Sequence, residues 1–347
     1  MRAVVYHGPG KKMWEEVPKP TILEDSDAIV RVDAVTICGT DLHILKGDVP
    51  AVTDGRVLGH EAVGTVKEVG TGVGTIKPGD RVLVSCITAC GRCRFCREGS
   101  YGLCVGGGGW ILGHKIDGTQ AEYVRVPFAD TSTYLVPPGV SDESVLMLAD
   151  IGPTGYEVGV LNGRVEPGDV VAVVGAGPIG LSSMLTSQLF SPTHIVAIDV
   201  ADARLESAKA FGATVTVNNS REDAAEVVKG LTEGLGADVT IEAVGIPETF
   251  ELCAELIRPG GRVANVGVHG KPATLHLEDL LIKGVTIKTG LVDTYSTPTL
   301  LKLVASRQLN VNDFVTHRFS LDEFMDAYDV FARAGETRAL KVVLTRR

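Results

Sequence analysis

The sequence predicts an α/β protein in two parts: a β-rich domain over 1–152 with a C-terminal return over 295–347, and a doubly wound parallel sheet over 153–294. Three observations carry this. The first part holds short runs punctuated by glycine and proline, among them "MRAVVYH", "DAIVRVDAVTI", "GTVKEVG", "DRVLVSC" and "AEYVRV", and such alternation marks antiparallel strands with one buried face. From about 165 onward, apolar runs take turns with helical ones: "DVVAVVG" with "GPIGLSSMLTSQLF", "HIVAIDV" with "ADARLESAKAFG", "ADVTIEAVG" with "ETFELCAELIRPGG". Strands that are apolar on both faces and joined by helices build a parallel sheet covered on both sides. Beyond 295, a helix-like "TPTLLKLVASRQL" and a terminal strand "ALKVVLT" suit a return to the first domain.

Composition narrows the function. The chain has 347 residues and a formal net charge of −10, with no Lys/Arg run. That argues against nucleic acid and anionic membrane as partners. The longest apolar stretch, "VVAVVGAGPIGLSSML", is interrupted by three glycines, a proline and two serines, so it is not read as a membrane span. The N-terminus alternates like a strand and lacks the apolar core of a signal peptide. The seven cysteines are therefore expected in a reducing, cytoplasmic compartment, as metal or catalytic residues rather than disulfides.

The second part opens on a nucleotide-binding signature. Strand "DVVAVVG" runs into Gly175-Ala-Gly177-Pro178-Ile179-Gly180 and then a helix. The glycines permit a tight turn, close approach to a pyrophosphate and close helix–strand packing, and the helix N-terminus offers N–H groups to the phosphates. The next strand ends in Asp199, 19 residues beyond Gly180, where a carboxylate would bind a ribose diol and repel a 2′-phosphate. NAD is favoured on that ground, while Arg204 keeps NADP open.

"CGRCRFCREGSYGLC" sets Cys90, Cys93, Cys96 and Cys104 at gaps of two, two and seven residues. Such gaps let four thiolates close on one tetrahedral zinc, and a full shell makes that zinc structural. An iron–sulfur cluster is the competing use. Three further pieces carry metal-ligating or proton-moving side chains: Cys38, Thr40 and His43 in "ICGTDLH", His60 and Glu61 in "LGHEAVGTV", and Asp150 in "LADIGPTGYE". Singly, each also reads as a core thiol, a turn or a helix cap.

Taken together, "CGTDLH", "GHEAVGTV", "IKPGDRV", the four-cysteine lobe, "GAGPIG" and "ALKVVL" resemble the zinc-dependent medium-chain alcohol dehydrogenases over essentially the whole chain. The resemblance implies a GroES-like catalytic domain and a Rossmann cofactor domain with the active site in the cleft between them. It implies a homodimer or homotetramer and a small alcohol or ketone as substrate. Cys38, His60 and Asp150 then look like catalytic zinc ligands, as in the bacterial secondary-alcohol branch, with Glu61 as an exchangeable fourth. Thr40 and His43 look like a proton relay through the nicotinamide ribose. Cys86, Ile87, Trp110 and Leu291 fall where the family walls its substrate pocket. Thr154 and Val268 fall where it contacts nicotinamide, and Lys341 where it approaches cofactor phosphates. Several enzymes of the secondary-alcohol branch lack the four structural cysteines, which the threonine, polyol and formaldehyde enzymes carry. These are the neighbouring alternatives, and a non-catalytic zinc-stabilised nucleotide-binding protein is the distant one. The family pattern also leads one to expect a larger apolar residue than Gly152 between Ile151 and Pro153, so that glycine implies an enlarged pocket.

Overall fold

The computed structural model describes residues 1–346. They fall into two compact units, residues 1–150 with 293 onward, and residues 151–292. Each crossing of the chain thus comes two residues before the expected boundary.

In the first unit the central element is Ala28–Thr36, "AIVRVDAVT", buried except at Arg31 and Asp33. Alternation of β-branched residues makes it a strand. It pairs antiparallel with Ala62–Val69, with Tyr123–Val126 and with the C-terminal strand Lys341–Thr345. Two register shifts, at Ile29/Val30 and Val32/Ala34, interrupt its ladder with Ala62–Val69, as bulges do where a strand must bend. The sheet has seven strands and includes Val315–Ser320, which runs parallel to Lys341–Thr345. A smaller sheet joins Arg2–Tyr6 to Lys12–Glu16 and Arg56–Val57. Beneath them Val30, Val32, Leu58, Val84, Phe324 and Tyr328 share one core. Burying a side chain the size of Phe324 is worth roughly 2–3 kcal/mol.

The second unit holds six parallel strands. In spatial order they are Val215–Asn218, His194–Asp199, Val170–Val174, Ala237–Glu242, Ile257–Asn265 and Thr286–Thr289. Chain order reverses between Val170–Val174 and Ala237–Glu242, which is where a doubly wound sheet opens a crevice at its strand ends. All five residues of "VVAVV" are buried, as a central parallel strand requires. The helix Pro178–Ser187 packs on a π-helical stretch, Thr154–Leu161. A Cβ on Gly155 would stand 2.5 Å from Ser182 Oγ, and one on Gly159 2.5 Å from Ser183 Oγ. Two glycines on one face therefore let these helices approach, and that contact seats the helix that follows the glycine loop. Among the described residues no helix is long and apolar enough to cross a membrane.

Candidate active site

Cys38 ends the stretch after Ala28–Thr36 and caps the helix Gly39–Lys46. His60 and Glu61 lead into Ala62–Val69, and Asp150 closes the unit's first run. From these separate elements, ligand atoms of Cys38, His60, Glu61 and Asp150 come within 4.8 Å of one another. Asp150 Oδ2 lies 3.5 Å from His60 Nε2 and 3.6 Å from Cys38 Sγ. Thiolate, imidazole and carboxylate are the donors zinc prefers, and bonds of about 2.0–2.3 Å to each would set such separations. The donor set fits that ion.

Burial pushes the Cys38 thiol up, and the Glu61 charge adds to this. His60 moves well above its usual value: burial opposes its charge, but hydrogen bonds to Asp150 and Cys38 prevail. A metal-free cluster thus holds protons that a cation must expel.

Thr40 Oγ1 is 3.7 Å from Cys38 Sγ. His43 faces solvent on the same helix, its Nδ1 2.8 Å from Asp48 Oδ2. Among the described residues no hydrogen bond joins Thr40 to His43. Cys86 and Ile87 are buried just after Arg81–Val84. Trp110 stacks on His114 at 4.3 Å and meets His60 edge-on at 6.4 Å, which places an aromatic wall beside one proposed ligand.

The four cysteines of the lobe also converge, with ligand atoms within 4.8 Å and Cys90 Sγ 3.9 Å from Cys96 Sγ. Sulfurs around one zinc stand about 3.8 Å apart given Zn–S bonds near 2.3 Å. A cluster of several irons would hold them further apart, so the spacing favours the single ion.

In the second unit the loop after Val170–Val174 has the form a pyrophosphate requires. Gly175 sits at φ +103°, and a Cβ on Gly180 would strike the Gly175 carbonyl, so both positions demand glycine. Around Gly177 the space is open, and Pro178 begins a ten-residue helix whose free amides suit an anion.

Two family matches cover most of the chain: the alcohol dehydrogenase GroES-like domain over residues 24–137 and the zinc-binding dehydrogenase domain over 178–306. An alcohol dehydrogenase of Cupriavidus necator is 37% identical over 96% of this chain and 95% of its own. The chain belongs to the zinc-dependent medium-chain alcohol dehydrogenases. Among solved structures, zinc-dependent alcohol dehydrogenase 2 of Streptococcus pneumoniae superposes with a TM-score of 0.95 at 49% identity, covering 100% of this chain and 98% of that one. An alcohol dehydrogenase from a Thermus species gives 0.93 at 39% identity, with both chains fully covered.

Within this dehydrogenase one expected role needs correction. Lys341 is 1% exposed, and its Nζ donates to both oxygens of Glu61 at 2.7 and 3.0 Å. Its register in the terminal strand turns it into the unit's interior, so the ammonium is committed to Glu61 instead of an open phosphate site. Burial depresses its charge, and Glu61 more than restores it. The same pair competes with a metal for Glu61, each of whose oxygens keeps a second lone pair.

Asp199 is bonded more heavily than the ribose reading anticipates. Oδ1 accepts the amides of Val200 and Ala201, and Oδ2 that of Ala176 at 2.8 Å. The carboxylate thereby ties the glycine loop to the neighbouring strand, and Oδ2 keeps accepting capacity for a diol. The exposed Arg204 guanidinium stands 3.8 Å from it. Thr154 begins the π-helical stretch, while Val268 and Leu291 are exposed loop residues of this unit.

Sequence reasoning passed over a buried chain beside Cys38. The Cys38 amide donates to Asp41 Oδ2 at 2.8 Å, Gln120 Nε2 donates to the same oxygen at 2.9 Å, and the Tyr328 hydroxyl donates to Gln120 Oε1 at 2.7 Å. Only Asp41 carried a local signal, its place three residues after the helix cap.

Proposed function

We propose that this chain is an NAD-dependent alcohol dehydrogenase and carbonyl reductase for secondary alcohols and ketones. One zinc would sit at Cys38, His60 and Asp150, and a second in the four-cysteine lobe. The observation that carries the reading is the approach of Cys38 Sγ and His60 Nε2 to one oxygen, Asp150 Oδ2. Three protein ligands leave a coordination position for substrate, as catalytic zinc needs and structural zinc does not. Zinc supplies a Lewis acid to the substrate oxygen, and NAD the hydride acceptor.

The chain's own residues do the remaining work. Thr40 Oγ1, beside the metal thiolate, accepts the proton leaving an alcohol. His43, exposed on the same helix, is a suitable last station before water. The Gly177 region and the start of Pro178–Ser187 hold the pyrophosphate, and Asp199 Oδ2 the ribose diol. Buried Ile87, Ile111 and Leu112 favour an apolar substrate over a polyol or an amino acid, which would ask for polar partners. Exposed Leu277, Leu281 and Ile282 precede the open sheet edge Thr286–Thr289, which supports pairing with a second copy in a dimer or tetramer. Thiols gathered on single ions suit the reducing cytoplasm.

The direct test is absorbance of the reduced cofactor with NAD and NADP against primary alcohols, secondary alcohols, polyols and threonine. Secondary alcohols with NAD should give the highest kcat/KM, and a polyol or threonine in that place would replace the reading. Asp199→Gly should erode the NAD preference by roughly tenfold, about the loss of one good charge-assisted hydrogen bond and one repulsion. An unaltered ratio would remove Asp199 from the ribose.

Gly152, buried in the short helical segment Ile151–Pro153 that follows Asp150, carries the proposal of an enlarged pocket. Gly152→Leu is expected to lower kcat/KM for bulky ketones at least roughly tenfold more than for small ones, about 1.4 kcal/mol of selective exclusion. Equal losses on both would mean a packing role alone.

A further inference from the structure

Asp150 turns its two oxygens to different neighbours. Oδ2 faces Cys38 Sγ and His60 Nε2, whereas Oδ1 lies 3.6 Å from Cys86 Sγ, within range of a sulfur hydrogen bond. Cys86 is held in register with this end of the chain, because its amide donates to the carbonyl of Ala149 at 3.1 Å. It is 3% exposed. A thiolate at that distance from a carboxylate would set two buried anions side by side, which is costly; a thiol donates a hydrogen bond instead. The atom-by-atom division matters for coordination. A carboxylate free to swing can offer both oxygens to one cation, filling the place a substrate oxygen needs.

We infer that Cys86 is a positioning residue for the metal centre: its S–H donates to Asp150 Oδ1, so that Oδ2 alone is presented to the metal. It is then neither a ligand nor only a pocket wall. Partners of metal-ligating groups fix ligand orientation and typically tune affinity or activity by roughly 10- to 100-fold. The inference rests on the proposed zinc site at Cys38, His60 and Asp150.

The test replaces the catalytic zinc by cobalt(II) in the full-length enzyme, in Cys86→Ala and in Cys86→Ser. Failure of the unaltered enzyme to take cobalt at this site would refute the zinc-site reading itself, separately from any role of Cys86. With cobalt bound, the Ala variant should show shifted d–d bands with thiolate-to-cobalt charge transfer retained. It should release metal to a chelator roughly tenfold faster or more, and its kcat should fall more than its KM rises. The Ser variant keeps a donor and should recover part of each change. Unchanged bands and release rate in the Ala variant, with only KM altered, would reduce Cys86 to a pocket wall and overturn the inference. Loss of charge-transfer intensity in both variants would make it a ligand and overturn it equally.

Discussion

Asp150→Asn is expected to cut kcat/KM by roughly 100- to 1,000-fold, about 3–4 kcal/mol in the barrier, while the chain folds and retains the metal of its four-cysteine lobe. The substitution keeps the shape of the side chain and removes its charge. Asp150 Oδ2 is the oxygen nearest both His60 Nε2 and Cys38 Sγ, so an amide there withdraws an anionic donor from zinc. It also removes a group that favours protonated His60 in the metal-free protein. Two effects of opposite sign follow for metal uptake: a ligand is lost, and one competing proton is held less firmly. The first dominates, because a neutral amide oxygen is a much poorer donor to zinc than a carboxylate. Metal analysis should fall from two zincs per chain to one, with thermal unfolding little changed. Two bound zincs with undiminished turnover would remove Asp150 from the ligand set.

Much of this site was legible because its chemistry is written in short runs. The cysteine spacing and "GAGPIG" each keep their binding atoms within one short run, so local geometry decides what they can hold, whereas Cys38, His60 and Asp150 were gathered only through the family resemblance of their separate motifs. Lys341 shows where that stops. In "ALKVVL" a lysine amid apolar residues fits either a snorkelling surface residue or a buried ion pair. Its partner Glu61 lies 280 residues away, and only the pairing of Lys341–Thr345 with Ala28–Thr36 turns the ammonium inward. Gln120 and Tyr328 were illegible for the same reason: Gln120 reaches Asp41 across 79 residues of sequence, and Tyr328 reaches Gln120 across 208. The strand Val315–Ser320, "VTHRFS", alternates polar residues at its exposed face and carries too few apolar positions for a periodic signal. At His43 the helix exposes the imidazole to solvent, and Asp48, five residues on, holds its Nδ1, a local pairing that the sequence displayed.

Cys96→Ser is expected to empty the lobe and lower the thermal midpoint of the first unit by roughly 5–10 °C, the shift that about 2–3 kcal/mol produces in a domain of this size. The lobe has little else to hold it. Residues 90–109 contain two short helical turns, Arg94–Arg97 and Tyr101–Leu103, with Leu103 and Val105 exposed. Its ties to the rest of the unit include the Gly102 amide on Asp293 Oδ1 at 2.8 Å and the Thr88–Gly109 bridge. Such a segment cannot repay its backbone entropy by apolar burial, so metal bonds must supply the order. The thiols are prepared unequally for this. Backbone amides of Cys96 and Val105 draw Cys93 down to about 6, whereas burial pushes Cys96 up to about 12. At pH 7 the metal-free lobe therefore offers Cys93 as thiolate and keeps Cys96 protonated. Zinc uptake must expel the Cys96 proton, whereas Cys93 offers its sulfur without that cost. Cys93 has a folded value below its unfolded one, so the stability it contributes is present at high pH and lost as pH falls through the folded value. In the Ser variant the midpoint should no longer respond to a strong chelator, while the unaltered enzyme's midpoint drops when chelator is added. Retention of two zincs, or a melt identical to the unaltered protein's, would mean that the four cysteines do not carry the lobe's order.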